Sequence, residues 1–486
     1  MTAPSVRAQL LRRKPVAAMM ADAGHDTAHG EGLARRIGLV QLMCLGIGST
    51  IGTGIFFVLS TAVPEAGPAV VLSFVLAAVT AALTALCYAE LASTIPVAGS
   101  SYSYAYATLG ELVAYGVGWC LVLEYGVSSA AVSVGWSEYL NQLLEDTIGG
   151  RIPDALSAAP GAGGAINLPA LVLVALCAVL LIGGVRESAR ANVLMVVVKI
   201  AVLLFFVVVA ATAFEADNYA PFAPLGVAGV GMAASSIFFS FIGLDAVSTA
   251  GEEVRDPRRN LPRAIVGALV VVTVVYLLVA VAAVGAQPAA EFEGQEAGLA
   301  VILEQVTGAR WPAILLAAGA VISIFSVTLV TMYGQTRILF AMSRDGMIPT
   351  MFGRVDARRR TPVQGTLAVA VFVGLLAGFV PLDFLIDLTS MGTLVAFTVV
   401  SVGVMVLRRT APDLPRGFRV PGYPVVPVLS IAFCLYLITG LPGVTWALFG
   451  VWLAIAAVVY VSYARTHSAL RAAPEEPAGG DTPPGG

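Results

Sequence analysis

The long apolar runs decide what this chain can fold into. From Val193 to Phe214, twenty-two residues pass with one charge, Lys199, and similar runs recur along the sequence. About 20 apolar residues make one helical crossing of a bilayer, whereas a membrane β-strand alternates over about 10. Of the 486 residues, 58% are hydrophobic and only 12% are Asp, Glu, Lys or Arg, against roughly 25% charged in an ordinary soluble domain. Such a chain cannot cover a water-facing surface. Lipid is its main solvent, so its backbone must satisfy its own polar groups, here as helices. Twelve crossings are expected, starting near residues 38, 68, 103, 168, 191, 228, 262, 309, 362, 383, 423 and 443.

The basic residues test that count through the excess of Lys and Arg on cytoplasmic loops. With the N-terminus in the cytosol, 24 of the 27 Lys and Arg fall inside, only Arg151 and Arg310 fall outside, and Lys199 lies in the membrane. A wrong span count would scramble this alternation. Both termini are therefore expected in the cytoplasm. Residues 1–37 form a polar, basic tail with no short apolar core before a cleavage site, so they do not form a secretory signal. The tail from about Thr466, rich in Ala, Pro, Gly and Glu, is expected to be disordered.

Several chemistries lack their residues. The five cysteines, Cys44, Cys87, Cys120, Cys177 and Cys434, lie in apolar runs without metal spacing and are expected to be small buried hydrophobes. The three histidines, His25, His29 and His467, lie in the tails. Neither of the two lysines, Lys14 and Lys199, sits in a phosphate-binding GxxxxGK[ST] loop, which speaks against ATP-driven pumping by this chain. No HExxH or GxSxG is present. No enzyme activity, cofactor, metal or nucleic-acid partner is expected.

The strongest local signal is Gly46-Ile47-Gly48-Ser49-Thr50-Ile51-Gly52-Thr53-Gly54-Ile55-Phe56, midway along the first span. Each glycine weakens a helix by about 1 kcal/mol relative to Ala, so an unwound stretch between two half-helices is expected. Irregular backbone at membrane depth is tolerated where it lines a cavity or is buried in protein. The N–H groups that start the second half-helix would form an anion site suited to a carboxylate. The alternative is close helix packing through the GxxxG of Gly48 and Gly52. In span 6, Phe238-Phe239-Ser240-Phe241-Ile242-Gly243-Leu244-Asp245 offers a matching break five helices later, the interval of an inverted-repeat transporter.

Three buried charges stand out. Lys199 would cost roughly 2.5–3.5 kcal/mol at the centre of a span. Arg stays charged, whereas a buried lysine can lose its proton. Lys199 is therefore a candidate for proton coupling or a substitute for a bound sodium ion, with a snorkelling or statically paired lysine as the alternative. Glu124 inside span 3 is a candidate pathway residue or a structural hydrogen-bond partner. Asp245 is a candidate inner gate or packing residue.

These residues resemble the amino acid–polyamine–organocation superfamily, and within it the bacterial cationic amino acid transporter-like group. Four segments carry the resemblance: Arg12-Arg13-Lys14-Pro15; the Gly46–Phe56 break; Ile242-Gly243-Leu244-Asp245-Ala246-Val247-Ser248-Thr249 leading to Glu252-Glu253; and Tyr333-Gly334-Gln335-Thr336-Arg337 running on to Ala341-Met342-Ser343-Arg344-Asp345-Gly346. It covers roughly residues 10–465. The resemblance implies an all-α membrane protein with a LeuT-type fold of two inverted five-helix repeats plus two extra helices. The divisions would be a tail at 1–37, repeats at 38–214 and 215–407, helices 11 and 12 at 408–465, and a tail at 466–486. It also implies a multi-pass permease of the bacterial inner membrane that moves amino acids, by proton symport or alternatively by exchange. A non-transporting sensor or a membrane enzyme is the rival outside transport.

By the same resemblance, the substrate carboxylate would meet backbone around Thr53 and Gly54, and its amino group carbonyls near Thr50, Phe239, Ser240 and Ile242. Phe239 would be an aromatic lid, and Lys199 would occupy the place of a sodium site. Amino acid, protons and the lipid bilayer would be the partners, and a small membrane subunit is left open.

Overall fold

The computed structural model describes residues 12–28, 35–160, 162–293, 295, 298–439, 441 and 443–471. Among them no strand forms, and only two isolated bridges interrupt the helical pattern. Eight stretches are long and apolar enough to cross a membrane unaided, and shorter apolar helices supply the others.

The first crossing is split into α1, Leu39–Thr50, and α2, Thr53–Ala66. The second is α3, Val70–Thr94, and the third is α4, Glu111–Ile148. The fourth and fifth are α5, Leu168–Gly183, and α6, Val185–Ala210. The sixth crossing is again split: α7, Gly226–Phe238, a tight turn at Phe239–Phe241, and the short helix Ala246–Thr249. The remaining six are α8, Pro257–Ala286; α9, Trp311–Arg344; α10, Val363–Phe379; α11, Leu382–Thr410; α12, Val425–Thr439; and α13, Gly443–Val459. The apolar runs thus become the twelve crossings expected.

One expectation is corrected. The third crossing starts at Glu111 rather than near 103, because Ser101–Thr108 is a separate buried helix ended before Gly110, which sits at φ +105°. The sequence carries a sign of that division: Ser101–Thr108 is Ser-Tyr-Ser-Tyr-Ala-Tyr-Ala-Thr, without an aliphatic residue larger than Ala, and the apolar span begins only at Glu111. Within the basic N-terminal tail, Val16–Ala28 is helical, and Met19 on it is buried. At the C-terminus the described residues end with a helical turn at Ala469–Arg471, and the rest of the tail expected to be disordered lies outside the described residues.

The end of the bundle that carries the termini is tied shut by buried and part-buried ion pairs between elements far apart in sequence. Arg337 on α9 donates to Glu253 at 2.7 Å, Arg344 pairs with Glu252 at 2.9 Å, and Arg408 pairs with Glu90 at 2.5 Å. The backbone N–H groups of Arg36 and Ile37 donate to the Glu253 carbonyl at 2.9 and 3.0 Å. Lys14 reaches Asp345, just past α9, at 2.5 Å and Asp22 at 2.6 Å. Burial works against the charge on Lys14, but Asp345 and Asp22 overcome it and hold its pKa above the ordinary lysine value.

Candidate functional site

The first crossing breaks over two residues. The helix closes with the Ile51 N–H donating to Ile47, Ile51 itself is extended, and α2 restarts at Thr53 after Gly52. The interruption is narrower than the glycine-rich run suggested, because Gly46 and Gly48 remain helical and the hydroxyls of Ser49 and Thr50 bond back to the Gly46 carbonyl at 3.0 and 2.8 Å. No side chain caps α2 at Gly52. Its first N–H groups are unpaired by helix geometry and open toward a cavity lined by Gly52 and Gly54.

The second break faces the first. Ile242 is extended and Gly243 takes φ +101°, a region that favours glycine. The Gly243 carbonyl accepts from the Ser49 hydroxyl at 2.6 Å. The Tyr276 hydroxyl, on α8, lies 2.9 Å from the Thr50 carbonyl and 3.0 Å from the Ser240 carbonyl, so it spans both breaks. Sequence reasoning missed Tyr276, whose polar end is invisible in an apolar run. Gly54 packs so closely on Ser240 that a Cβ there would lie 2.4 Å from its Oγ and 2.9 Å from its Cα.

Lys199, on α6, is fully buried and does not snorkel. Its amine donates to the carbonyls of Gly48 at 3.0 Å and Ile51 at 2.6 Å. The break in α1–α2 frees both acceptors, so the charge that looks costly in the sequence sits where helix carbonyls lack their own donors.

Glu124 lies in a π-helical turn at Val122–Val127 within α4. Such a turn inserts one residue and re-aims the side chains on it, often at functional sites. Glu124 lines the cavity and is buried, and neither of its carboxyl oxygens has a hydrogen-bond partner among the described residues. Asp245 and Thr393 are its polar neighbours. The Tyr125 hydroxyl donates to Oδ2 of Asp245, whose Oδ1 is unpartnered among the described residues. Asp245 therefore sits with Glu124 beside the cavity, away from the ion pairs that close the termini end. Thr50, Gly54, Phe239, Ser240 and Ile242 line the same cavity, while the Thr53 side chain lies outside the described residues.

Two spaces meet here. A vestibule of about 910 Å³ opens at the end opposite the termini, bordered by Ser60, Glu138, Asn141, Arg151 and Leu382. The central cavity is only about 20 Å³ on the same measure, room for a water molecule but not for an amino acid. Phe239 borders both.

A helical bundle closed at one end, open at the other and broken twice at its middle is the architecture of a membrane permease. The chain belongs to the amino acid permease family, whose model matches residues 37–465. It is 45% identical over 469 residues to the branched-chain amino acid permease BcaP of Bacillus subtilis (strain 168), covering 96% of this chain and 100% of the relative. It is 43% identical to the methylthioribose transporter of the same organism, over 95% of this chain and 99% of the relative. A vacuolar cationic amino acid transporter 2 of Arabidopsis thaliana is 35% identical, over 83% of this chain and 64% of that protein.

Proposed function

We propose that this chain is a secondary transporter that carries amino acids across the membrane by alternating access, with Lys199 carrying the coupling proton. The single observation behind this reading is the uncapped start of α2 facing the carbonyls of the second break across one cavity. A zwitterion matches that pair of surfaces. Its carboxylate meets the N–H groups near Thr53 and Gly54 and the positive end of the α2 dipole. Its ammonium, with three donors, meets carbonyls at Thr50, Phe239, Ser240 and Ile242, which an anionic group without a donor could not do. Family membership and the branched-chain permease relative support amino acid transport.

In this reading the termini are cytoplasmic and the open vestibule faces outward. The substrate enters past Phe239, whose ring then covers it. The two breaks fall in corresponding positions of two inverted repeats, residues 38–214 and 215–407. Protonated Lys199 has three donors and holds Gly48 and Ile51 across the break; the neutral amine has fewer donors and a weaker grip. Proton loss therefore loosens the end of α1 and links the proton to opening of the cytoplasmic side. Glu124 and Asp245 belong to the pathway, where their open oxygens accept from a substrate donor or from passing water.

The test is uptake into liposomes by purified protein. An inward pH gradient should drive accumulation of an amino acid, and Lys199→Ala should still bind substrate in a thermal-shift assay while losing gradient-driven uptake. Uptake by Lys199→Ala at the native rate, or a sodium requirement without response to pH, overturns the coupling. Counterflow without net accumulation would instead assign an exchanger, and binding without flux a sensor. Methylthioribose belongs in the same binding panel because a relative carries that name.

A further inference from the structure

Two turns before Lys199, on the same face of α6, stands Asn192, and its side chain is buried. Its Nδ2 donates to the Cys44 carbonyl on α1 at 2.8 Å. Its Oδ1 accepts from the Ser326 hydroxyl on α9 at 2.7 Å. Lys199 holds the broken end of α1, at Gly48 and Ile51. Asn192 holds the same half-helix one turn nearer the termini and ties it to a third element. The approach is tight enough to dictate a neighbour: a Cβ on Gly48 would lie 2.4 Å from Asn192 Oδ1. Gly48 thus has a reason to be glycine that is separate from breaking the helix.

We propose that Asn192 is a positioning residue for transport: with Ser326 it forms a non-titrating clasp that keeps α1 against α6 and α9, and the clasp must part before the termini end can open. The inference rests on the reading of α1 as the moving half of a substrate-binding helix. The geometry separates two holds on one element. Lys199 supplies a hold whose strength changes with a proton. Asn192 supplies a constant hold, because neither an amide nor a serine hydroxyl titrates in the working range. Either hold alone keeps α1 in place for part of the time, and their sum sets how often it is released. The clasp acts on the closed state and leaves the substrate contacts untouched, so its loss should change turnover more than substrate affinity.

Cys44 is a native reporter. It lies on α1, it is buried and free, and its own carbonyl is the acceptor for Asn192. The experiment alkylates full-length protein in liposomes with a membrane-impermeant maleimide applied at the termini side, and quantifies each of the five cysteines by peptide mass spectrometry. Asn192→Ala should raise labelling of Cys44 by about tenfold, the effect of losing one to two buried hydrogen bonds. Cys87, Cys177 and Cys434 should keep native rates, which a general loosening of the fold would not allow. Ser326→Ala removes one partner only and should raise Cys44 labelling by a smaller factor, which keeps the test open if Asn192→Ala fails to fold. Native Cys44 labelling in both variants, alongside faster labelling in Lys199→Ala, overturns the clasp. Absence of uptake by the wild type would defeat the transport reading, while faster Cys44 labelling in Asn192→Ala would still stand.

Discussion

Gly54 carries no side chain because Ser240 already occupies the space where one would go. At this scale a methyl group is a large object. In Gly54→Ala the new Cβ meets Ser240 Oγ at 2.4 Å and backbone at 2.9 Å, so the two breaks must move apart. Affinity for the amino acid should fall by about tenfold or more, equal to ~1.4 kcal/mol or above, read by thermal shift across a substrate titration. Unchanged affinity would mean that the substrate does not sit between these segments. The residue scale is also where the sequence was most informative. Lys199 stood out as a lone charge in a long apolar run, and the run itself said that a charge there needs acceptors. The sequence could not say which acceptors, since Gly48 and Ile51 lie about 150 positions away.

Helix breaks differ in how they announce themselves. The first is written in glycines, each of which lowers helix propensity. The second is marked by Gly243 at positive φ and by an acid beside it. The π-helical turn in α4 has no such mark: Val122-Leu123-Glu124-Tyr125-Gly126-Val127 reads as ordinary span sequence. Its cause is an extra residue that three-dimensional packing absorbs, and a single sequence does not reveal an insertion. The turn nonetheless sets the directions of Glu124 and Tyr125. Deleting Val122 should restore an α-helical register through this stretch, leave the flanking faces of α4 in phase, and turn Glu124 away from the cavity. The expected outcome is a protein that folds with equal or higher melting temperature and loses uptake. Retained uptake would remove the turn from the mechanism. The buried helix Ser101–Thr108 is different: its tyrosines and serines set it apart from the apolar span that begins at Glu111, and Gly110 at positive φ lies between them.

Across the whole molecule, apolar runs and the distribution of arginines gave the number of crossings, but the way one end is tied together emerged only from tertiary contacts. Arg337 and Glu253 are both fully buried and 2.7 Å apart, a pair formed by residues 84 positions apart in sequence. Removing one partner of such a pair leaves a charge without compensation, a cost of about 3–5 kcal/mol. Glu253→Gln should therefore lower the melting temperature and increase protease access at the termini end, and a double change of Glu253→Gln with Arg337→Met should recover much of the stability without recovering coupled uptake. Equal stability in the single and double variants would show that the pair does not tie this end shut. At the opposite end, Phe239 borders both the vestibule and the central cavity. An aromatic side chain turns about two bonds in nanoseconds, while helices shift in microseconds or longer. In the proposed transport cycle, admission and passage would thus run on different clocks, and a candidate molecule would be sampled and rejected many times before the bundle commits to moving it.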